Sequence, residues 1–114
     1  MKSASAFHII LVTVGSKQNG REIAEVLVSR KLAACVNQVP GIESTYFWKE
    51  KVCHDTEQLL IIKARASALA EIEKVLSELH SYEVPEMITF PLSQSTKAYL
   101  AWLEEVTEKG DTER

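Results

Sequence analysis

From Phe7 to Val14 the chain reads as an apolar, largely β-branched run that stops at Gly15. Ile9-Ile10-Leu11-Val12 is apolar at both parities, the pattern of a central strand buried on both faces. The period then changes to that of a helix carrying Ile23, Val26, Leu27 and Arg30 on one face. Two starts are open: Asn19 with Glu22 forms a capping-box-like pair, and Ser16 offers an earlier cap that leaves Gly20 inside the helix at a cost of ~1 kcal/mol. Lys31 closes the last turn, where positive charge suits the helix dipole.

From Leu32 to Arg65 the pattern is that of one long β-hairpin. The first arm runs from Leu32 to Val39 and resumes from Ile42 to Trp48. Pro40-Gly41 between them predicts a bend or bulge, because Pro cannot donate to a central ladder. The second arm centres on Leu59-Leu60-Ile61-Ile62-Lys63. The polar link from Lys49 to Gln58 is too long for a two-residue turn, so part of it extends both arms outward. A hairpin of that length overhangs a domain of this size, and Tyr46, Phe47 and Trp48 near its tip need a surface to lie against.

Ser67 is positioned as the N-cap of a second helix, with Leu69, Ile72, Val75, Leu76 and Leu79 on one stripe and Glu71, Glu73 and Glu78 off it. That helix stops by Val84, because a residue before Pro85 avoids the helical region. A short strand over 87–90 follows and ends at Pro91. A third helix begins near Ser95 or Thr96, with Tyr99, Leu100, Trp102, Leu103 and Val106 facing inward. The charged, Gly-broken stretch 108–114 reads as a disordered tail on an ordered core of about 7–107 in a single domain spanning 1–114.

The order β-α-β-β-α-β plus a terminal helix is an α+β, ferredoxin-like split βαβ arrangement with a long hairpin. Both helices then lie on one face of an antiparallel sheet. The strands are apolar on the other parity too, so the open face must be covered, and the fold is expected to pack it against copies of itself.

Bulk properties narrow the function classes. At 114 residues and net charge −3, the chain has no electrostatic footprint for nucleic acid or an anionic membrane. The run at 7–14 is too short to span a bilayer, and no small-x-small cleavage site follows it. Cys35 and Cys53 are too few for a disulfide scaffold and their spacing fits no zinc pattern, so a cytoplasmic protein with free thiols is expected.

Several motifs together carry a resemblance: Lys31-Leu32-Ala33-Ala34-Cys35-Val36-Asn37, Pro40-Gly41-Ile42, Tyr46-x-Trp48 and His80-x-Tyr82-Glu83-Val84-Pro85-Glu86. From Ile9 to Val106 the chain resembles the CutA family of divalent-cation tolerance proteins. The resemblance implies ferredoxin-like protomers assembled into compact homotrimers, with interleaved hairpins and clefts between subunits, similar to trimers of the PII signalling proteins. It implies a role in tolerance to divalent metals, with copper or another divalent cation bound in some members, and no enzymatic reaction. It also places Trp48, Glu57, Lys63, Tyr82 and Glu86 in an intersubunit cleft. Copper-binding members are associated with a cysteine on the first strand and a histidine pair before the Tyr; this chain has Val12 and Leu79-His80 there and keeps one of the three ligands.

Two metal sites are read from the residues. His80 is a candidate copper or zinc ligand with Glu83 or Glu86 as oxygen donor, or else a helix end where His80 caps carbonyls and Tyr82 anchors the loop. Cys53-His54 with Asp55 and Glu57 offers a soft thiolate beside an imidazole, or a solvated hairpin tip; adjacent strand residues point to opposite sides, so they share an ion only in a turn or across subunits. Lys63 near two carboxylates pairs structurally or binds an anionic ligand. Competing functions are weaker. Gly15-Ser16-Lys17-Gln18-Asn19-Gly20-Arg21 only faintly imitates the phosphate cradle of an acylphosphatase, and the strands lack the aromatics of an RNA-recognition motif. A PII-like small-ligand sensor and a scaffold for a partner protein remain as alternatives to metal binding.

Overall fold

The computed structural model describes residues 1–108. The elements are β1 (Lys2–Ser3), β2 (Phe7–Val14), α1 (Lys17–Ser29), β3 (Cys35–Trp48), β4 (Lys51–Arg65), a 3-10 turn (Ala66–Ala68), α2 (Leu69–Leu79), β5 (Ile88–Pro91), β6 (Gln94–Ser95) and α3 (Lys97–Thr107). Four strands form an antiparallel sheet in the order β3-β4-β2-β5, the ferredoxin-like arrangement. The pattern did not announce β1 and β6, which pair as a separate two-residue ladder. Apart from Glu108, the tail expected to be disordered lies outside the described residues.

One face of the sheet carries the core. Ile10, Val12 and Val14 of β2 and Leu60, Ile62 and Ala64 of β4 are buried against Ile23 and Leu27 of α1 and Ile72, Val75 and Leu76 of α2. Successive strand residues alternate between faces, so Ile9, Leu11, Leu59 and Ile61 occupy the other side. They are only half-buried, and Ile88 and Phe90 of β5 are exposed. The double-sided burial expected of β2 is thus met on one side only. On the second face α3 covers one end, where Leu100 and Leu103 close over Phe7, Ala4 and Ala34. That narrow contact explains why Tyr99 and Trp102, expected to face inward, are each 40% exposed and stack on one another at 5.5 Å.

The helix ends show which local signals won. Ser16 caps α1, accepting from the Asn19 N–H at 3.0 Å, and Gly20 is inside the helix. Gly20 is required there: a Cβ would lie 2.6 Å from Gln38 Nε2 and 3.0 Å from Val14 Cγ2. Lys31 does not close the last turn; it sits just past it at φ 60°, the left-handed position usually given to Gly. Leu32 N–H returns to Leu27 carbonyl and Lys31 N–H to Val28 carbonyl, which completes a Schellman motif. Ser67 does not cap α2, since the backbone enters through the 3-10 turn instead.

The hairpin overhangs as expected. β4 leaves its pairing with β2 at Gln58, so Lys51–Glu57 pairs with β3 alone, a ribbon extending ~23 Å beyond the four-stranded sheet. The register shifts between Val39 and Ile42, with Gly41 at φ 73°, which is the bulge read from Pro40-Gly41. The tip is tighter than expected. Lys49 and Glu50 alone make the turn at φ 50° and 63°, and the polar link beyond them is strand. Both residues at positive φ match the twist of a two-residue hairpin connection, a geometry normally marked by Asn-Gly.

Candidate functional site

The loop after α2 is fastened where it leaves the helix. Its chain leaves the helix at His80, whose N–H still reaches Leu76 carbonyl at 2.9 Å. Asn19 of α1 donates from Nδ2 to Leu79 carbonyl at 2.9 Å and accepts from the Ser81 N–H. The residue that resembled half of a capping box thus closes the end of the other helix. His80 Nε2 lies 2.7 Å from Thr13 carbonyl, and His80 Nδ1 accepts from the Tyr82 N–H at 3.1 Å. A carbonyl only accepts, so this is the neutral ring protonated at Nε2. Both ring nitrogens are occupied, but by a strand carbonyl and a loop N–H rather than by the helix-end carbonyls of the capping reading.

Tyr82 then crosses the end of β2. Its ring lies against Gly15, where a Cβ would come within 3.1 Å of it, and beside His80 at a centroid distance of 4.8 Å. The hydroxyl donates to Glu57 Oε2 at 2.5 Å. Burial, and then the bond to Glu57, push the Tyr82 phenol well above its usual range. Glu57 is only 7% exposed. Farther out on the same face of the ribbon, Tyr46 donates to Asp55, and that bond pushes its phenol up to about 12.

Between loop and ribbon lies a cleft of about 690 Å³ whose lining includes Tyr46, Trp48, Glu57, Tyr82, Glu83 and Glu86. Four of the five residues assigned to a cleft by resemblance therefore meet in one protomer. Lys63 does not join them. It stands six residues along β4 from Glu57, ~20 Å away, where it donates to Asn37 and approaches Cys35 Sγ at 3.9 Å. Sequence reasoning missed Tyr46 and Thr13, which line the cleft too. Register would have found Tyr46: it pairs with Cys53, one diagonal from Asp55.

The metal candidates are dispersed within the protomer. Cys53 faces the Tyr46 side of the ribbon, while His54 pairs with Thr45 on the opposite side and shares a 3.1 Å bond with its hydroxyl. Glu83 is exposed on the cleft rim. Val12 is fully buried under the helices. Among the described residues no three His, Cys, Asp or Glu side chains converge on a point able to hold an ion. Cys35 and Cys53 are free thiols at opposite ends of the hairpin. No helix among these residues is long and apolar enough to cross a membrane.

Residues 8–106 match the family model described as CutA1 divalent ion tolerance protein. The chain is 46% identical over 101 residues to the chloroplastic protein CutA 1 of Oryza sativa, covering 89% of this chain and 57% of that one, so it spans little more than half of that protein's length. It is 41% identical over 99 residues to the divalent-cation tolerance protein CutA of Thermus thermophilus, covering 87% of this chain and 96% of that one. The solved structure of CutA1 from Oryza sativa superposes with a TM-score of 0.88 at 43% identity, covering 94% of this chain and 98% of that one.

Proposed function

The chain belongs to the CutA1 divalent ion tolerance family, and from that premise we propose that it binds a divalent cation between the protomers of a homotrimer, catalysing no reaction. A role in divalent ion tolerance follows from the membership. The observation that carries the finer reading is the open sheet face. Ile9, Leu11, Leu59 and Ile61 are half-buried there, Ile88 and Phe90 are exposed beside them, and the hairpin carries Phe47 at 70% exposure. Apolar surface of that extent on a sheet is stabilised by a partner, and a closed ring of identical copies covers it without leaving an open edge.

Association also bears on the metal. Cys53 and His54 point to opposite sides of a ribbon that projects from the sheet, so each can meet groups on a neighbouring copy. A thiolate and an imidazole suit copper, with Glu83 as an oxygen donor from the loop. His80 joins such a site only by giving up its bond to Thr13 or to Tyr82. The setting we propose is the cytoplasm, whose reducing conditions keep both thiols free.

Light scattering on the eluting protein and elemental analysis after copper or zinc titration test this reading. The expected result is a mass of three protomers, with bound metal lost on Cys53→Ser and kept on His80→Ala. A monomer in solution, or no metal retained at micromolar free concentration, refutes it.

A further inference from the structure

The cleft between the ribbon and the 80–87 loop has chemistry that a bare metal ion does not use. Its lining has three carboxylates, Glu57, Glu83 and Glu86, and three aromatic rings, Tyr46, Trp48 and Tyr82, with no Lys, Arg or His. Glu57 is the informative member. It is 7% exposed, Tyr82 binds one of its oxygens, and among the described residues it has no cationic partner. A buried carboxylate without a counter-charge is costly, and the structure that keeps one ordinarily meets it with a cation. The carboxylates do not converge on one ion, whereas about 690 Å³ lies in the range of small-molecule sites. Aromatic faces beside carboxylates are the recognition chemistry of ammonium groups. Trp48 already meets one, since Lys49 Nζ stands 6.0 Å from its ring centroid.

We propose that this cleft binds a small organic cation, an alkylammonium or quaternary ammonium compound, through the Glu57 carboxylate and the rings of Trp48 and Tyr82. The carboxylate sets the charge of the ligand and the rings cover its methylene or methyl groups. Glu83 and Glu86 at the rim receive a second amine where the ligand has one. The site goes beyond the interprotomer metal site proposed above, with which it shares Glu83 at the rim.

The test is titration of the full chain with spermidine and with choline in about 0.15 M salt, which screens loose surface pairing. Trp102→Phe leaves Trp48 as the sole tryptophan reporter, and calorimetry runs in parallel with Mn²⁺ and Cu²⁺ as alternative titrants. The expected result is saturable binding of at least one ammonium compound, quenching Trp48, weakened about tenfold or more by Glu57→Gln. Glu83→Gln with Glu86→Gln gives the same readout should Glu57→Gln fail to fold, and there the loss is larger for spermidine than for choline. Absence of saturation by about 10 mM of either compound overturns the proposal, as does binding that neither set of variants weakens. Uptake of metal without ammonium overturns it too, while leaving the metal proposal intact. Ammonium binding that emerges only in Lys63→Met also overturns it, and assigns the cleft to Lys63 from a second copy.

Discussion

Replacing Gly20 by Ala tests how tightly α1 is pressed onto the hairpin. In an exposed helix the change stabilises by about 1 kcal/mol. Here the new methyl lies 2.6 Å from Gln38 Nε2, 3.0 Å from Gln38 Cδ and 3.0 Å from Val14 Cγ2. The end of a glutamine ordinarily moves aside at little cost, but this one is held: Nε2 donates to Lys17 carbonyl at 3.0 Å and to Gln58 Oε1 at 2.6 Å. Displacing it loses two hydrogen bonds, each worth about 0.5–1.5 kcal/mol. Val14 is fully buried and its shift adds an overpacking cost of about 1–3 kcal/mol. Set against the helix gain of about 1 kcal/mol, the net is a loss of about 1–5 kcal/mol. Urea unfolding followed by circular dichroism measures it, at fixed protomer concentration because association adds to apparent stability. If Gln38 transmits the clash, Gly20→Ala costs less in a Gln38→Ala background, with a coupling above about 0.5 kcal/mol. A Gly20→Ala protein as stable as its parent refutes the argument that close approach, rather than chain flexibility, requires this glycine.

Three further outcomes are expected. Lys31→Gly relieves a left-handed backbone at the Schellman position and stabilises by about 0.5–1 kcal/mol in the same unfolding experiment. Tyr82→Phe strips Glu57 of its donor and costs about 1.5–3 kcal/mol, and Glu57→Gln costs less because the amide oxygen still accepts from Tyr82. The tyrosines set an alkaline limit. All three phenols are raised in the folded protein, so their contribution to stability is complete below the ordinary value near 10 and is lost as pH rises through the folded values. Tyrosinate absorbance of the native protein then lags that of the unfolded chain above pH 10, and Asp55→Asn brings the Tyr46 step, at about 12, down toward it. A native titration overlapping the unfolded one above pH 10 contradicts the assignment.

What could be read from the sequence was read where residue type restricts the backbone or where burial imposes a period. Pro40-Gly41 marks the bulge because a proline removes a ladder donor, whereas Pro85 sets only an outer limit for α2, which already ends at Leu79 with His80 extended. Apart from exposed Arg30, the stripes of α1 and α2 match their buried faces because both helices pack them into the core on one face of the sheet. The failures share a cause as well. Residues 49–56 gave no period because, among the described residues, no helix covers the outer ribbon and these positions stay largely exposed, so the turn at Lys49-Glu50 is hidden in a polar stretch. Tyr99 and Trp102 were assigned to the core on chemistry alone, but α3 rests on only the end of the sheet and buries the narrower line Leu100, Leu103 and Thr107. Asn19 was legible as a capping residue but not as one acting on a helix end 60 residues away.

The cleft itself follows from unequal strand lengths, which no local motif encodes. β2 ends at Val14, whereas its neighbour β4 continues past Gln58 to Lys51. Beyond that step Glu57 has lost the strand beside it, and Gly15 leaves room for an aromatic ring to pass over the strand end. Tyr82 fills that opening from the loop that Asn19 and Thr13 hold down, and its hydroxyl meets the carboxylate that the step exposes. The same alternation that puts Glu57 here puts Lys63 on the same face but six residues along, too far to neutralise it within one protomer. Among the described residues Glu57 is met by the Tyr82 hydroxyl and by no cationic side chain, and the cleft beside it is lined by the rings of Tyr46, Trp48 and Tyr82.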